Sequence, residues 1–210
     1  MKEKSLSEPC FFVDSLPDII DTDCKELIRS VEIQAHANEI FLWLKQLRVA
    51  PYSYDFIDNR RMKSPDFIIE NLPPLKANIH FLLACHVTEF AEDSFIICRF
   101  CQPVNLPFNL SLRELFIEYR ISAQGSKSCL WCKVKGYIRR DILSRGFFHV
   151  FSLVNKIMMT KQLKNIKKFS ERLSAGEIRT GKLDVNKYYA RSGIHWWIFC
   201  RRKICNGLIP

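Results

Sequence analysis

Two Cys-x-x-Cys pairs, CRFC at Cys98 and Cys101 and CLWC at Cys129 and Cys132, supply the four thiols that a tetrahedral zinc site would need. Both sit in strand-forming sequence, where side chains three residues apart point to opposite faces, and neither contains the glycine or proline that shapes a metal knuckle. Neither pair opens a helix that would lower a thiol pKa, so a redox dithiol is no better supported. The five histidines, His36, His80, His86, His149 and His195, show no HExxH or other regular ligand spacing. The chain also lacks a Gly-rich phosphate loop and a GxSxG elbow. No metal or cofactor is expected.

The remaining concentration of acid and base groups is APYSYDFIDNRR, Ala50 to Arg61. Tyr52, Tyr54, Asp55 and Asp58 are groups that can exchange protons if held within hydrogen-bond reach of a reacting atom. Asp55 and Asp58 are also spaced i, i+3, which suits capping or pairing with Arg48, Arg60 or Arg61. The spacing therefore favours aspartates that hold a turn, and no catalytic residue is assigned.

The surrounding periodicities say what positions this stretch. Cys24 to Ala35 alternates as a half-buried strand. Over Ala37 to Leu47 the apolar residues Ile40, Phe41, Trp43, Leu44 and Leu47 recur at three and four, predicting a short amphipathic helix capped by Asn38 and stopped by Pro51. Ile79–Ala84, Cys85–Phe90, Phe95–Phe100, Glu114–Ser122 and Cys129–Ile138 read as strands joined by turn-rich AEDS, QPVNLP and AQGSK. Phe148, Phe151, Val154, Met158, Leu163, Ile166, Phe169 and Leu173 then form an apolar stripe at near-helical period, with Lys161, Lys164, Lys168 and Arg172 on another face and Gly176 as the stop. About 28 helical residues reach roughly 40 Å, enough to cross a sheet.

At 210 residues, 48% hydrophobic and 26% charged, the chain has the balance of a folded body that buries a core. The net charge of +10 is concentrated late: Lys133 to Arg172 carries eleven cations against two acids, and Leu173 to Pro210 seven against two. Such a field suits anionic headgroups or an acidic partner. The tail HWWIFCRRKIC, His195 to Cys205, sets aromatic residues beside three cations, a composition that fits peripheral contact with an anionic membrane or packing against a second copy as a homodimer. Nucleic acid is not an expected partner. No apolar run approaches bilayer-spanning length and the start resembles no signal peptide, so a cytoplasmic location is expected. Nine cysteines, an odd number, then read as reduced thiols. The expected divisions are an acidic lead-in over 1–23, a domain over 24–176 and a basic aromatic tail over 177–210.

The element order, together with EIQAHANEIFLWLKQLRVAPYSYDFIDN (Glu32 to Asn59) and MMTKQLKNIKKFSE (Met158 to Glu171), resembles the START-like helix-grip superfamily, also called SRPBCC, and its bacterial polyketide-cyclase/dehydrase-like members. Glu39, Ile40, Phe41, Trp43, Leu44, Gln46 and Leu47 match the helix pattern. Tyr52, Ser53, Tyr54, Asp55, Ile57, Asp58 and Asn59 match the adjoining stretch. Val49-Ala50-Pro51 departs from the Arg-Ala-Gly-Trp-like lead of those relatives, and Leu75-Lys76-Ala77-Asn78 from their Val-Gly-Asp-like turn. The resemblance implies an α+β fold, a curved antiparallel sheet wrapped around a long C-terminal helix, with short helices after the first strand. It also implies a pocket between them for a hydrophobic small molecule or lipid. The candidate ligand-binding residues are Trp43, Tyr54, Ile57, Phe81, Phe116, Trp131, Phe151, Val154 and Met158. Two alternatives stand beside this: a cyclase- or dehydrase-like enzyme using Tyr54, Asp55 or a pocket histidine, and a basic adaptor docking on anionic membrane or protein.

Overall fold

The computed structural model describes residues 9–15, 22–55, 62–82, 85–100, 104–105, 111–186 and 188. After a 3-10 turn at Phe12–Ser15, the order is β1 (Thr22–Ile33), α1 (Ala37–Gln46), β2 (Ile68–Ile69), β3 (His80–Phe81), β4 (Cys85–Ala91), β5 (Phe95–Phe100), β6 (Val104–Asn105), β7 (Ser111–Gln124), β8 (Lys127–Arg139), α2 (Ile142–Ser174) and β9 (Thr180–Gly181). Seven strands form one antiparallel sheet in the order β1-β8-β7-β5-β4-β3, with β6 paired to the start of β7. A separate two-residue parallel pairing joins β2 to β9.

The sheet is built on one long hairpin. Gln124 pairs with Lys127, leaving a two-residue loop whose first residue, Gly125, takes φ 61°. Glycine meets that requirement without a Cβ penalty, and the positive φ suits the right-handed twist of the flanking strands. Register shifts between Val87 and Glu89 and between Leu112 and Glu114 are local bends of the kind that curve a sheet. The strands are longer than their apolar runs: β7 and β8 extend beyond Glu114–Ser122 and Cys129–Ile138 at both ends, because backbone pairing continues where the side chains turn polar.

Helix α1 buries Ile40, Phe41, Trp43 and Leu44, as its period requires. Its N-cap is His36 rather than Asn38. The His36 N–H donates to Glu39 Oε2 at 2.8 Å, so the acidic residue of the first turn ties back to the cap. Helix α2 begins at Ile142, six residues before the first residue of the apolar stripe. It buries Phe148, Met159, Leu163 and Ile166 against the sheet and α1. Its descent onto β8 depends on Gly136, where a Cβ would lie 3.1 Å from the Phe148 ring and 3.3 Å from Leu115 Cδ1. At its end Gly176, φ 72°, donates to Leu173 O while Glu177 N–H reaches Arg172 O, the pairing of a Schellman stop. A long C-terminal helix gripped by a curved antiparallel sheet, with a helix after the first strand, is the helix-grip α+β fold. Among the described residues, no helix is long and apolar enough to cross a membrane.

Alternation divides the sheet into two faces. Leu115, Tyr119, Leu130, Cys132 and Val134 belong to the main core under α2. Their neighbours Phe116, Cys129 and Trp131 point the other way and join Phe11, Val13, Phe95 and Ile97 in a second cluster. The N-terminal turn closes that outer face: Phe11 and Val13 are fully buried there. Val13 N–H donates to Glu118 Oε2 at 3.1 Å, Lys135 Nζ donates to Val13 O at 2.9 Å, and Lys133 bridges Asp14 and Glu26. Burial alone would pull the Lys133 ammonium down, but its hydrogen bonds to Asp14 and Glu26 more than offset this and raise it above the ordinary lysine value.

Candidate functional site

The segment after α1 is held by its backbone as much as by its side chains. Tyr52 takes φ 53°, a left-handed conformation that a bulky residue adopts only when its surroundings fix it. Here Gln162 Nε2 of α2 donates to Pro51 O at 2.6 Å and Asn165 Nδ2 to Tyr52 O at 2.9 Å. The turn thereby swings the Tyr52 ring inward. It packs edge-on against Trp43, with centroids 5.7 Å apart, and against Phe169, at 5.9 Å; Trp43 and Phe169 themselves stack at 4.9 Å. Three aromatic rings from α1, the turn and α2 form one junction.

Two donors in that junction are unusual. Trp43 Nε1 and the Tyr52 hydroxyl are buried, and among the described residues neither has a hydrogen-bond partner. Buried polar atoms are nearly always paired, so each such group calls for an explanation. Burial, followed by the nearby Tyr188, Asp55 and Asp66, pushes the Tyr52 phenol well above its usual value, so it stays a neutral donor.

A second polar chain lies deeper under α2. The Tyr119 hydroxyl on β7 donates to Gln162 Oε1 at 2.6 Å, so Gln162 links the sheet to the Pro51 carbonyl. Tyr119 also interacts with Cys132. Desolvation pushes the Tyr119 phenol and the Cys98 thiol well up, and the Cys132 thiol up to about 12. These groups are neutral at physiological pH and can offer a ligand hydrogen bonds, not charge.

Asp55 is used structurally. Its carboxylate accepts from Ser64 N–H at 2.9 Å and from Ser64 Oγ at 2.5 Å, which clamps the two ends of the stretch between them. Asp58, Asn59, Arg60 and Arg61 lie outside the described residues, as does Ile57.

The described candidate wall residues fall into five places. Trp43 and Phe81 are fully buried in the main core, and Phe151 and Met158 are half-buried on α2. Tyr54 is 37% exposed at the rim. Phe116 and Trp131 lie on the outer face of the sheet, away from α2, because they alternate with Leu115, Leu130 and Cys132. Val154 is 47% exposed on the solvent side of α2, away from the stripe that packs inward. Tyr52, Tyr119, Gln162 and Asn165 complete the inner constellation. The only sequence signal for the last two is their spacing, i and i+3, which puts two amides on one side of the helix. The Cys129 and Cys132 side chains are on opposite faces, as alternation requires.

No family model matches the chain, and no curated protein matches it. Solved structures sharing its general path include the di-domain ARO/CYC StfQ from the steffimycin biosynthetic pathway, at TM-score 0.47 and 11% identity over 72% of this chain and 52% of that one. The chain thus spans about half the length of StfQ. The Zhui aromatase/cyclase from Streptomyces sp. R1128 aligns at TM-score 0.41 and 9% identity, over 74% of this chain and 100% of that one. Norcoclaurine synthase from Thalictrum flavum, in complex with dopamine and hydroxybenzaldehyde, aligns at TM-score 0.42 and 9% identity, over 83% and 97%. Likenesses at these levels carry nothing about activity, and the helix-grip assignment rests on the sheet and α2 themselves.

Proposed function

We propose that the protein binds a hydrophobic small molecule or lipid between the sheet and α2, without covalent chemistry. The observation that carries this reading is the pair of buried donors without a partner among the described residues, Trp43 Nε1 and Tyr52 OH, at the aromatic junction that α1, the turn and α2 build beside the main apolar core. Such donors suit the polar end of an amphiphile, whose apolar remainder gains about 25 cal/mol per Å² on burial. Phe81, Phe151 and Met158 form the apolar wall, Tyr119 and Gln162 a second polar point, and Tyr54 and Ile57 the rim. Because Tyr52, Tyr119, Cys98 and Cys132 are held neutral, the ligand class is uncharged or carries its charge outside the interior.

The cyclase- or dehydrase-like alternative gains no support from Asp55, whose carboxylate is engaged by Ser64. In this reading the activity is cytoplasmic, a setting in which the nine cysteines stay reduced. The aromatic segment of the tail, His195 to Cys205, proposed to touch anionic membrane or a second copy, lies outside the described residues.

Native mass spectrometry of the purified protein, with organic extraction and uptake of a fluorescent fatty acid, tests the proposal. A bound species or saturable uptake is expected, weakened about tenfold in Tyr52→Phe combined with Trp43→Phe, the loss of roughly two hydrogen bonds. Absence of both a bound species and uptake by the wild-type protein would overturn it.

A further inference from the structure

Helix α2 carries a second apolar face that the core does not use. Val150, Leu153, Val154 and Ile157, spaced i, i+3, i+4 and i+7, are 65%, 60%, 47% and 50% exposed. At about 100° per residue they share one side of the helix, opposite the buried Phe148, Met159, Leu163 and Ile166. A soluble surface scatters exposed apolar residues singly; a contiguous helical stripe marks a contact.

The charges farther along the same side identify the contact. Lys161, Lys164 and Lys168 fall on that face, eleven, fourteen and eighteen residues beyond Val150, and all three are exposed. From Ile142 to Ser170 the helix contains no Asp or Glu. Lys164 and Lys168 also line an open depression of about 390 Å³ with Lys167 and Arg172. Lys167 and Arg172 are paired to Glu171 and Glu177, whereas among the described residues Lys164 and Lys168 have no acidic partner. The same face of a second copy offers these lysines no counter-charge, since it carries no Asp or Glu from Ile142 to Ser170. A bilayer with anionic headgroups offers acyl chains to the apolar half and phosphates to the basic half.

We infer that the solvent face of α2 docks on an anionic lipid surface, with Val150, Leu153, Val154 and Ile157 entering the acyl boundary and Lys161, Lys164 and Lys168 meeting headgroups. This does not depend on what the interior holds. Each cation near such a surface adds attraction that salt screens, and the apolar stripe adds a part that salt leaves in place. The half of α2 placed in the lipid is also the half that bears Phe151 and Met158.

The test is flotation of the full chain with phosphatidylcholine vesicles, with and without phosphatidylserine. Partition is expected with the serine lipid, reduced about tenfold or more by Leu153→Glu with Ile157→Glu and made less salt-sensitive by Lys161→Gln with Lys164→Gln. These positions are exposed, so thermal unfolding and fatty-acid uptake are expected to match wild type; the milder Leu153→Ser with Ile157→Ser serves if the acidic pair disturbs folding. Failure of wild type to float, or flotation indifferent to both apolar-face variants, would overturn the inference. So would a self-association abolished by those variants without any vesicle binding, which would assign the face to a second copy.

Discussion

The two faces of the central sheet handle buried polarity in opposite ways. Under α2, Tyr119, Cys98 and Cys132 are kept neutral by burial, and hydrogen bonds to Gln162 carry the polarity onward. On the outer face the chain buries full charges. Glu118 has no exposed side-chain area, and Lys133 and Lys135 have 4% and 6%. Arg120, Asp14 and Glu26 supply counter-charges, and the Val13 backbone completes the set. A charge out of water needs both a partner and hydrogen bonds, and on this face the N-terminal turn provides them. Among the described residues the inner face has no such clasp of ion pairs.

The sharpest way to break this contrast is to strip the outer face of one partner. Arg120 holds Glu118 through Nε at 2.8 Å and Nη2 at 2.6 Å. Arg120→Met keeps the stem but leaves a buried carboxylate without its ion pair, and is expected to lower unfolding free energy by about 3 kcal/mol in urea. Adding Glu118→Leu should recover most of that loss; if the double variant is no more stable than the single, the cost came from packing and the electrostatic account fails.

On the inner face the corresponding deletion is smaller. Tyr119→Phe removes the donor to Gln162 Oε1 and should cost about 1 to 2 kcal/mol in the same assay, since it breaks a neutral hydrogen bond and leaves one acceptor unsatisfied. A cost equal to that of Arg120→Met would erase the distinction between the faces.

The mildest probe is alkali. Folded Tyr52, Tyr119, Cys98 and Cys132 hold their protons above the ordinary values of 10.0 and 9.0 at which the unfolded chain releases them. Unfolding therefore releases protons, and stability is expected to be flat near neutrality and to fall as pH rises beyond about 9. Lys133, also raised, acts in the same direction beyond its ordinary 10.5. Urea midpoints measured from about pH 7 to 11 should show the decline, and a smaller slope above about pH 10 in Tyr119→Phe.

Periodicity made the long hairpin, α1, α2 and the helix-grip order legible, because each buries one face at a fixed repeat. Around Phe116 and Trp131 themselves the local contrast is weak, apolar beside apolar, but their i+2 neighbours carry the parity: Glu118 and Arg120 follow Phe116, and Lys133 and Lys135 follow Trp131, on the face away from α2. An aromatic ring on that charged face needs a cover, and the cover, Phe11 and Val13, lies more than a hundred residues away in sequence, so the bulk of Phe116 and Trp131 taken alone reads for the inside. Val154 failed for a related reason: the first half of α2 is apolar on two sides. Tyr52 was hidden by its positive φ, which reverses the inward and outward sense that spacing would assign.

The pairing of β1 with β8 has a consequence for how the chain is made. Thr22 meets Arg139 and Ile33 meets Ser128, so the first strand must wait for about a hundred further residues before its ladder can close. The N-terminal turn waits equally long, since Glu118, Lys133 and Lys135 are its docking points. During synthesis the early apolar segments therefore emerge with their edges open, a situation that favours slow, late closure and shielding by chaperones over stepwise folding from the N-terminus.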